Sequence, residues 1–373
     1  MKRFWSILGT VLLWVAVIAF AVYFNTRAKQ HYAQATISDL DIVLTDSLQN
    51  EVLVKSSTVN EWLSESGISI SKTLLDSVDL VGIEQAIRKN GFIAKANAYV
   101  TYDGRLHVEV SQRQPLLRMA VDGYDCYITE EGFVFPTPRH SAVYAPIVTG
   151  SYVPPVPAQY VGYVEDYISS LVAQSEQRIE ELQREKVPLF EKDKEIRDSI
   201  RKVRTIRISR RFWKELRLRF QASYQSEYDL DVQRTRAYKA ELRRKYRYRL
   251  RLNDKAIAGI TQRQETERAN QKKLMKRYED LLKLINFVKY IEKESFWRAE
   301  IVQIVASTMS NGELQLELIP RTGSHRILFG TADNVEKKLS NLLSFYNRGL
   351  TNIGWEEFRT ISVQYDGQVV CTK

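Results

Sequence analysis

The sequence predicts an α+β protein with one N-terminal transmembrane helix, a small first domain, and a β-rich second domain interrupted by a mostly helical insertion. Three observations lead to this fold class: an uncharged apolar run near the N-terminus, alternating segments joined by Asp-Gly and Asn-Gly turns, and a long basic stretch between them. The composition, 44% apolar and 27% charged over 373 residues, is that of a folded globular protein.

The apolar run extends from Phe4 to Phe24 without a charged residue. Its 21 residues span about 31 Å as a helix, against a bilayer core of about 30 Å, and we assign a membrane span to residues 4–26. The run is longer than the apolar part of a signal peptide and ends in bulky residues, which favours an uncleaved anchor. Its aromatic residues are the predicted anchoring side chains: Phe4, Trp5, Trp14, Phe20, Tyr23 and Phe24.

The charges flanking this span bear on its direction. Lys2 and Arg3 precede it and favour a cytoplasmic N-terminus, with residues 1–3 as a short cytoplasmic stub. Arg27 and Lys29 follow it and reduce the asymmetry, so charge alone leaves the orientation open. With the N-terminus inside, the remaining domains would lie outside the plasma membrane.

The first outer domain is predicted over residues 35–112. Its elements are expected in the order strand, helix, helix, strand, strand: 37–45, a helix after N-caps at Ser56–Thr58, 73–90, 93–102 and 105–110. Asp103-Gly104 is a strong hairpin turn between the last two strands. Such a unit covers one face of a three-stranded sheet with two helices, which is the element order of a POTRA domain, a module for docking to other polypeptides.

The second domain is predicted in two parts, residues 113–158 and 281–373. The second part should contain a helix from 281 with apolar residues at helical spacing, then strands and a further helix: 296–306, 313–320, 325–329 and a helix from 334 capped by Asp333. Two short strands around Asp366-Gly367 should close the chain.

Residues 159–280 form the predicted insertion. Between 161 and 280 there are 31 Lys or Arg against 20 Asp or Glu, which accounts for the whole net charge of +10. Leucine, isoleucine and valine recur every seven residues from Leu182 to Val203, but the second heptad position is charged and Pro188 interrupts the run, so only a poor coiled coil is expected. Tyr246–Leu252 alternates as a strand would; its helix-forming flanks favour helix.

Three short motifs behind the anchor resemble those of the FtsQ/DivIB cell-division family. Val110–Pro115 is similar to a V-x-E-R-x-P segment, with Gln112 where Glu is commoner. Tyr127–Phe135 resembles a D-x-x-G-x-V-F strand pair, and Ala145–Gly150 resembles an L-P-x-L-x-G step. The order and spacing of these motifs, rather than any one of them, carry the resemblance over residues 1–150.

The resemblance implies a scaffold of the inner membrane at the division septum, with a POTRA domain and an FtsQ-type β-domain in the periplasm. Its expected partners are the FtsB–FtsL pair, which would link early division proteins to septal peptidoglycan synthesis. In the family the partner adds a strand near the C-terminus. The matching positions here are Ile361, Val363, Tyr365, Asp366, Gly367 and Val369.

The residues give no argument for catalysis, a metal site or a cofactor: the four histidines are far apart, and no nucleophile or phosphate-binding motif occurs. We therefore expect a non-enzymatic protein. The alternatives are a POTRA-bearing translocation or assembly factor and a cell-wall-binding protein.

The basic stretch 201–252 has 18 Lys or Arg against 5 Asp or Glu. It would suit an acidic protein, anionic lipid or a wall polymer, or it has no ligand at all; nucleic acid is disfavoured outside the cytoplasm. Cys126 and Cys371 are expected as isolated thiols, although a disulfide stays open.

Overall fold

The computed structural model describes residues 12–27, 36–45, 53–67, 73–74, 77–101, 103–138, 143–207, 216, 224–351 and 354–373. Residues 12–27 are helical (α1), and within the described ranges no helix is both long and apolar enough to cross a membrane. The rest of the predicted anchor, including Phe4 and Trp5, lies outside these ranges. Trp14, Phe20, Tyr23 and Phe24 all lie on α1 with more than half of their surface exposed.

The first domain has the predicted α+β order. A three-stranded sheet in the order β1-β3-β2 is covered by two helices: β1 (Asp39–Leu44), α2 (Ser56–Glu65), α3 (Leu80–Arg88), β2 (Ile93–Val100) and β3 (Arg105–Gln112). β1 runs parallel to β3 and β2 runs antiparallel to it. Alternate β3 residues, Leu106, Val108 and Val110, are fully buried beneath the helices, as period-two patterning requires.

Two helix boundaries in this domain differ from the sequence prediction. α2 begins at Ser56 with Lys55 as the N-cap residue, so Ser56–Thr58 are helical residues rather than caps. α3 begins only after Asp79, whose side chain accepts from the Gly82 backbone N–H at 2.9 Å. The predicted start at 73 was wrong because this cap satisfies the first turn locally.

The second domain is built on one ten-stranded sheet. Its order is β13-β12-β11-β10-β9-β7-β4-β5-β6-β8. The first strands are β4 (Pro115–Val121), β5 (Tyr124–Thr129), β6 (Phe133–Pro136), β7 (Ile147–Gly150) and β8 (Gly162–Tyr163). After two long helices the chain returns as β9 (Ile301–Thr308), β10 (Leu314–Pro320), β11 (Arg326–Gly330), β12 (Thr360–Ser362) and β13 (Val370–Thr372).

The sheet is continuous across the helical segment because β7 pairs in parallel with β9. The last part of the second long helix packs on the sheet through Leu281, Leu284 and Val288, each fully buried. Phe287 meets Phe329 of β11 with ring centroids 4.8 Å apart. One sheet therefore takes its strands from both sides of residues 164–293.

Two further predictions in this domain need correction. The strand expected from 296 begins at Ile301, because Ser295–Glu300 forms a short helix (α6) that buries Trp297. The helix expected to be capped by Asp333 is α7 (Val335–Phe345), whose N-cap is Asn334 in the left-handed conformation at φ 54°. Asp333 instead lies 3.5 Å from Lys283 in an ion pair. A π-helical turn, Tyr346–Leu350, follows α7.

The two long helices are α4 (Val164–Thr205) and α5 (Tyr224–Lys293). Residues 167–277 form a compact unit of their own. Within it the helices run antiparallel: Asn253 Nδ2 donates to the Leu189 carbonyl at 2.8 Å, and Gln264 Nε2 donates to the Ile179 carbonyl at 3.2 Å. The alternating stretch 246–252 is helical.

Polar residues occupy part of the inner seam of this helical hairpin. Buried Lys186 takes the second heptad position, and its ammonium group donates a hydrogen bond to the side-chain oxygen of buried Gln264. The buried charge therefore has a hydrogen-bond partner. Pro188 lies inside α4 without ending it, and the predicted interruption was wrong. The seam thus joins two antiparallel helices and includes hydrogen bonds between polar groups.

Candidate partner-docking edge

The C-terminal end of the large sheet is an exposed edge. β12 pairs in parallel with β11 and antiparallel with β13, and β13 is the last strand in the order. An edge strand presents backbone N–H and C=O groups on one side, and these can pair with a strand from another chain. Val370 in β13 is 43% exposed.

The structure divides the six predicted docking residues into two groups. Ile361 and Val363 are almost completely buried, at 0% and 1% exposure, and the Val363 N–H donates to the Leu328 carbonyl at 3.0 Å. Their side chains are part of the core, so a strand-adding partner would meet β13 rather than β12. Tyr365, Asp366 and Gly367 lie on the exposed turn between the two strands, and Val369 is half-buried.

The turn is shaped by its own residues. Gly367 has φ 68°, a conformation in which a side chain would be strained, and the Gln368 N–H donates to the Tyr365 carbonyl at 3.3 Å. The Tyr365 side chain is 59% exposed. The turn therefore projects an aromatic ring beside the edge strand, where it would be accessible to a docking chain.

An ion pair ties the turn to α7. Lys337 Nζ lies 2.6 Å from Asp366 Oδ1, and this hydrogen-bonded ammonium lowers the pKa of the Asp366 carboxyl. An open cavity of about 280 Å³ lies between the helix and the turn, lined by Lys337, Lys338, Asn341 and residues 364–367. This cavity is a shallow polar recess beside the edge and would suit a polar side chain of a docking partner.

Lys338 supports the end of β11 rather than the recess. Its Nζ donates to the carbonyls of Thr331 at 2.7 Å and Phe329 at 3.3 Å, and it lies 4.8 Å from the centre of the Phe329 ring. Partial burial lowers the pKa of this ammonium. Lys338 is thus committed to internal contacts, which leaves Lys337 as the more exposed basic group at the site.

The Val110–Pro115 motif has a structural role that the sequence did not reveal. Gln112, 7% exposed, accepts the backbone N–H groups of Leu53 and Val54 at 2.8 and 3.2 Å. The Arg113 guanidinium lies 3.4 Å from the centre of the Phe133 ring in β6, a cation–π contact. The motif joins the two domains, whose cores are continuous through Tyr127, Phe133 and Phe135.

A buried His325–Tyr346 pair also escaped the sequence analysis. His325 Nε2 and the Tyr346 hydroxyl are 2.8 Å apart, and both side chains are 2% exposed. Burial lowers the pKa of His325 and raises that of Tyr346. Their neighbours are Trp297 and Trp355, so the pair lies in an aromatic cluster.

The cysteines are free thiols on distant strands of the sheet order, Cys126 on β5 and Cys371 on β13. Among the described residues, no group of three His, Cys, Asp or Glu side chains is arranged to hold a metal ion.

Comparison with known families agrees with this arrangement. Residues 36–111 match the family model described as a POTRA-like domain, and residues 258–372 match the one described as FtsQ/DivIB, C-terminal related. The second match begins within α5, upstream of Leu281. No curated protein matches the chain.

A POTRA-like domain joined to this C-terminal domain defines a class of non-enzymatic scaffold proteins. The two matches, each over less than a third of the chain, support its assignment to the FtsQ/DivIB family. The matched domains support a division-associated function and, in general terms, partners among the proteins of the division machinery.

Proposed function

We propose that the protein is a single-pass scaffold of the inner membrane that recruits the FtsB–FtsL pair to the division septum. The N-terminus would be cytoplasmic, residues 4–26 would span the bilayer, and the two outer domains would act in the periplasm. Recruitment would connect early division proteins to septal peptidoglycan synthesis.

The observation that carries the proposal is the exposed edge strand β13 in a C-terminal domain of the FtsQ/DivIB kind. A partner strand laid against β13 would extend the sheet through backbone hydrogen bonds, and this mode requires no deep pocket. Tyr365 on the turn and Val370 on β13 would supply side-chain contacts. Lys337, exposed on α7, would be available to an acidic residue of the partner if Asp366 moved aside.

Site-specific photo-crosslinking in cells tests the proposal. A photoreactive residue at Tyr365 or Val370 should capture a small single-pass coiled-coil protein. The matched control is Val153, which is similarly exposed at 48% but lies outside the C-terminal edge. Equal capture of that protein from all three positions, or none from Val370, would refute docking at β13.

Depletion of the protein gives a second readout. A division scaffold should leave filamentous cells in which septa fail to form. Defects in envelope assembly without filamentation would favour the translocation or assembly alternative, which shares the first domain.

A further inference from the structure

The helical hairpin carries a basic face that the docking edge does not use. Between residues 234 and 251 of α5 there are nine Lys or Arg and one acidic residue, Glu241. None of these nine basic side chains forms an ion pair with any residue in the described ranges, whereas several arginines elsewhere on the hairpin do. The positive charge here is therefore concentrated, and the described residues do not neutralise it through ion pairs.

Helical spacing gathers part of this charge with exposed apolar groups. Positions i, i+1, i+4, i+7, i+8 and i+11 share one side of a helix. Six residues of α5 have this spacing and are all exposed: Arg244, Lys245, Tyr248, Arg251, Leu252 and Lys255. We call them the outer basic face. Tyr248 is 57% exposed and Leu252 is 50% exposed.

The opposite side of α5 is already occupied. Tyr246 and Leu250 are half-buried, and buried Asn253 bonds to α4 through Leu189. Rotating α5 to bury Tyr248 and Leu252 would break this seam. The outer basic face therefore remains exposed to solvent, and its apolar side chains can be buried only by contact with another surface.

We propose that the outer basic face binds the surface of an anionic phospholipid bilayer. Tyrosine and leucine favour the headgroup level, and the four surrounding cations would contact lipid phosphates, for which guanidinium offers two parallel hydrogen bonds. Like charges four residues apart, such as Arg251 and Lys255, repel each other along the helix, and an anionic surface relieves that repulsion. An acidic protein would not require the exposed Tyr248 and Leu252.

The test uses the full chain held in a neutral phosphatidylcholine nanodisc, so that its apolar N-terminal run is already covered. Co-sedimentation is measured with separate vesicles that are neutral or contain about 30 mol % phosphatidylglycerol. Binding should occur only to the anionic vesicles and should be lost near about 0.5 M salt, where the Debye length falls to a few ångströms.

Replacing Arg244, Lys245, Arg251 and Lys255 with glutamine should lower the apparent affinity about six-hundredfold, since each basic residue near an anionic surface contributes about a factor of five. The matched control makes the same change at four ion-paired hairpin arginines: Arg178, Arg184, Arg197 and Arg263. That control should lower affinity only a few-fold. A third variant, Tyr248→Ala with Leu252→Ala, keeps the charge and should lower affinity several-fold.

Three outcomes would overturn the proposal. Equal binding to neutral vesicles, or an equal loss in the two glutamine variants, would remove the outer basic face as the cause. Binding to soluble polyglutamate without binding to anionic vesicles would identify an acidic protein as the partner. Circular dichroism of each variant checks that the hairpin is still helical, and crosslinking from Val370 reports on the docking edge independently.

Discussion

Replacing Gln112 with alanine is expected to loosen the first domain at its junction with the second. The Gln112 side-chain oxygen accepts hydrogen bonds from two backbone N–H groups in the segment before α2, and Gln112 is only 7% exposed. Alanine removes the acceptor without offering another to the Val54 N–H.

The magnitude follows from burial. An unsatisfied buried N–H costs about 1–3 kcal/mol, and the loss of the second hydrogen bond adds about 0.5–1 kcal/mol. A total of about 1.5–4 kcal/mol corresponds to an increase of roughly 10- to 700-fold in local opening, because about 1.4 kcal/mol is a factor of ten. Gln112→Glu keeps an acceptor for both N–H groups but buries a carboxylate, which costs free energy of its own, so it should increase opening by less than Gln112→Ala does.

Hydrogen–deuterium exchange measures this opening locally, which matters because a chain with several units need not unfold in one step. Peptides covering residues 53–67 should exchange at least tenfold faster in Gln112→Ala. The control is Gln114→Ala, the same chemical change at an exposed position two residues away. A change below threefold in Gln112→Ala, or an equal change in Gln114→Ala, would show that the two hydrogen bonds do not hold this segment.

Four further predictions concern single side chains. Cys371, half-exposed on β13, should react with maleimide in the folded protein and be protected when a partner strand binds; labelling that is unchanged by bound partner would contradict docking there. Cys126 should react only after denaturation, because burial raises its pKa to about 12. Burial lowers the pKa of His325, so the unfolded state binds the proton more readily than the folded state. Stability should therefore fall as pH drops below about 6.5. Faster hydrogen–deuterium exchange near residues 321–330 at low pH would measure this loss. His325→Phe should flatten this pH dependence, and a dependence that persists would assign it to another group. Arg113→Ala should cost about 0.5–2 kcal/mol through the lost contact with Phe133, and Arg113→Lys less, judged by exchange in β6.

Much of the fold was available from local signals. The Asp103-Gly104 turn and the alternation around it predicted β2 and β3, because a hairpin turn and period-two burial act over a few residues. Helix starts were less predictable. Asp79 caps α3 through its side chain, whereas Asn334 precedes α7 in the left-handed conformation without a side-chain cap bond. Several nearby polar residues can serve as a cap, and tertiary packing chooses among them.

The candidate site was predictable in part. The family motif indicated the C-terminal strands, but not that β12 would be internal and β13 the edge, because sheet order depends on which strands pair across long sequence distances. Ile361 and Val363 looked like docking anchors and are core residues. An alternating apolar pattern predicts a strand but does not distinguish an edge strand from its internal neighbour.

The sequence by itself determined the α+β class, the POTRA-like element order and the concentration of positive charge in the helical segment, since periodicity, turn chemistry and charge are local properties. Only the tertiary structure decided the use of Gln112 and Arg113 at the domain junction, the position of β13 at the sheet edge and the outward direction of Tyr248 and Leu252 on α5. Each of these depends on contacts between residues distant in the chain, which no local pattern encodes.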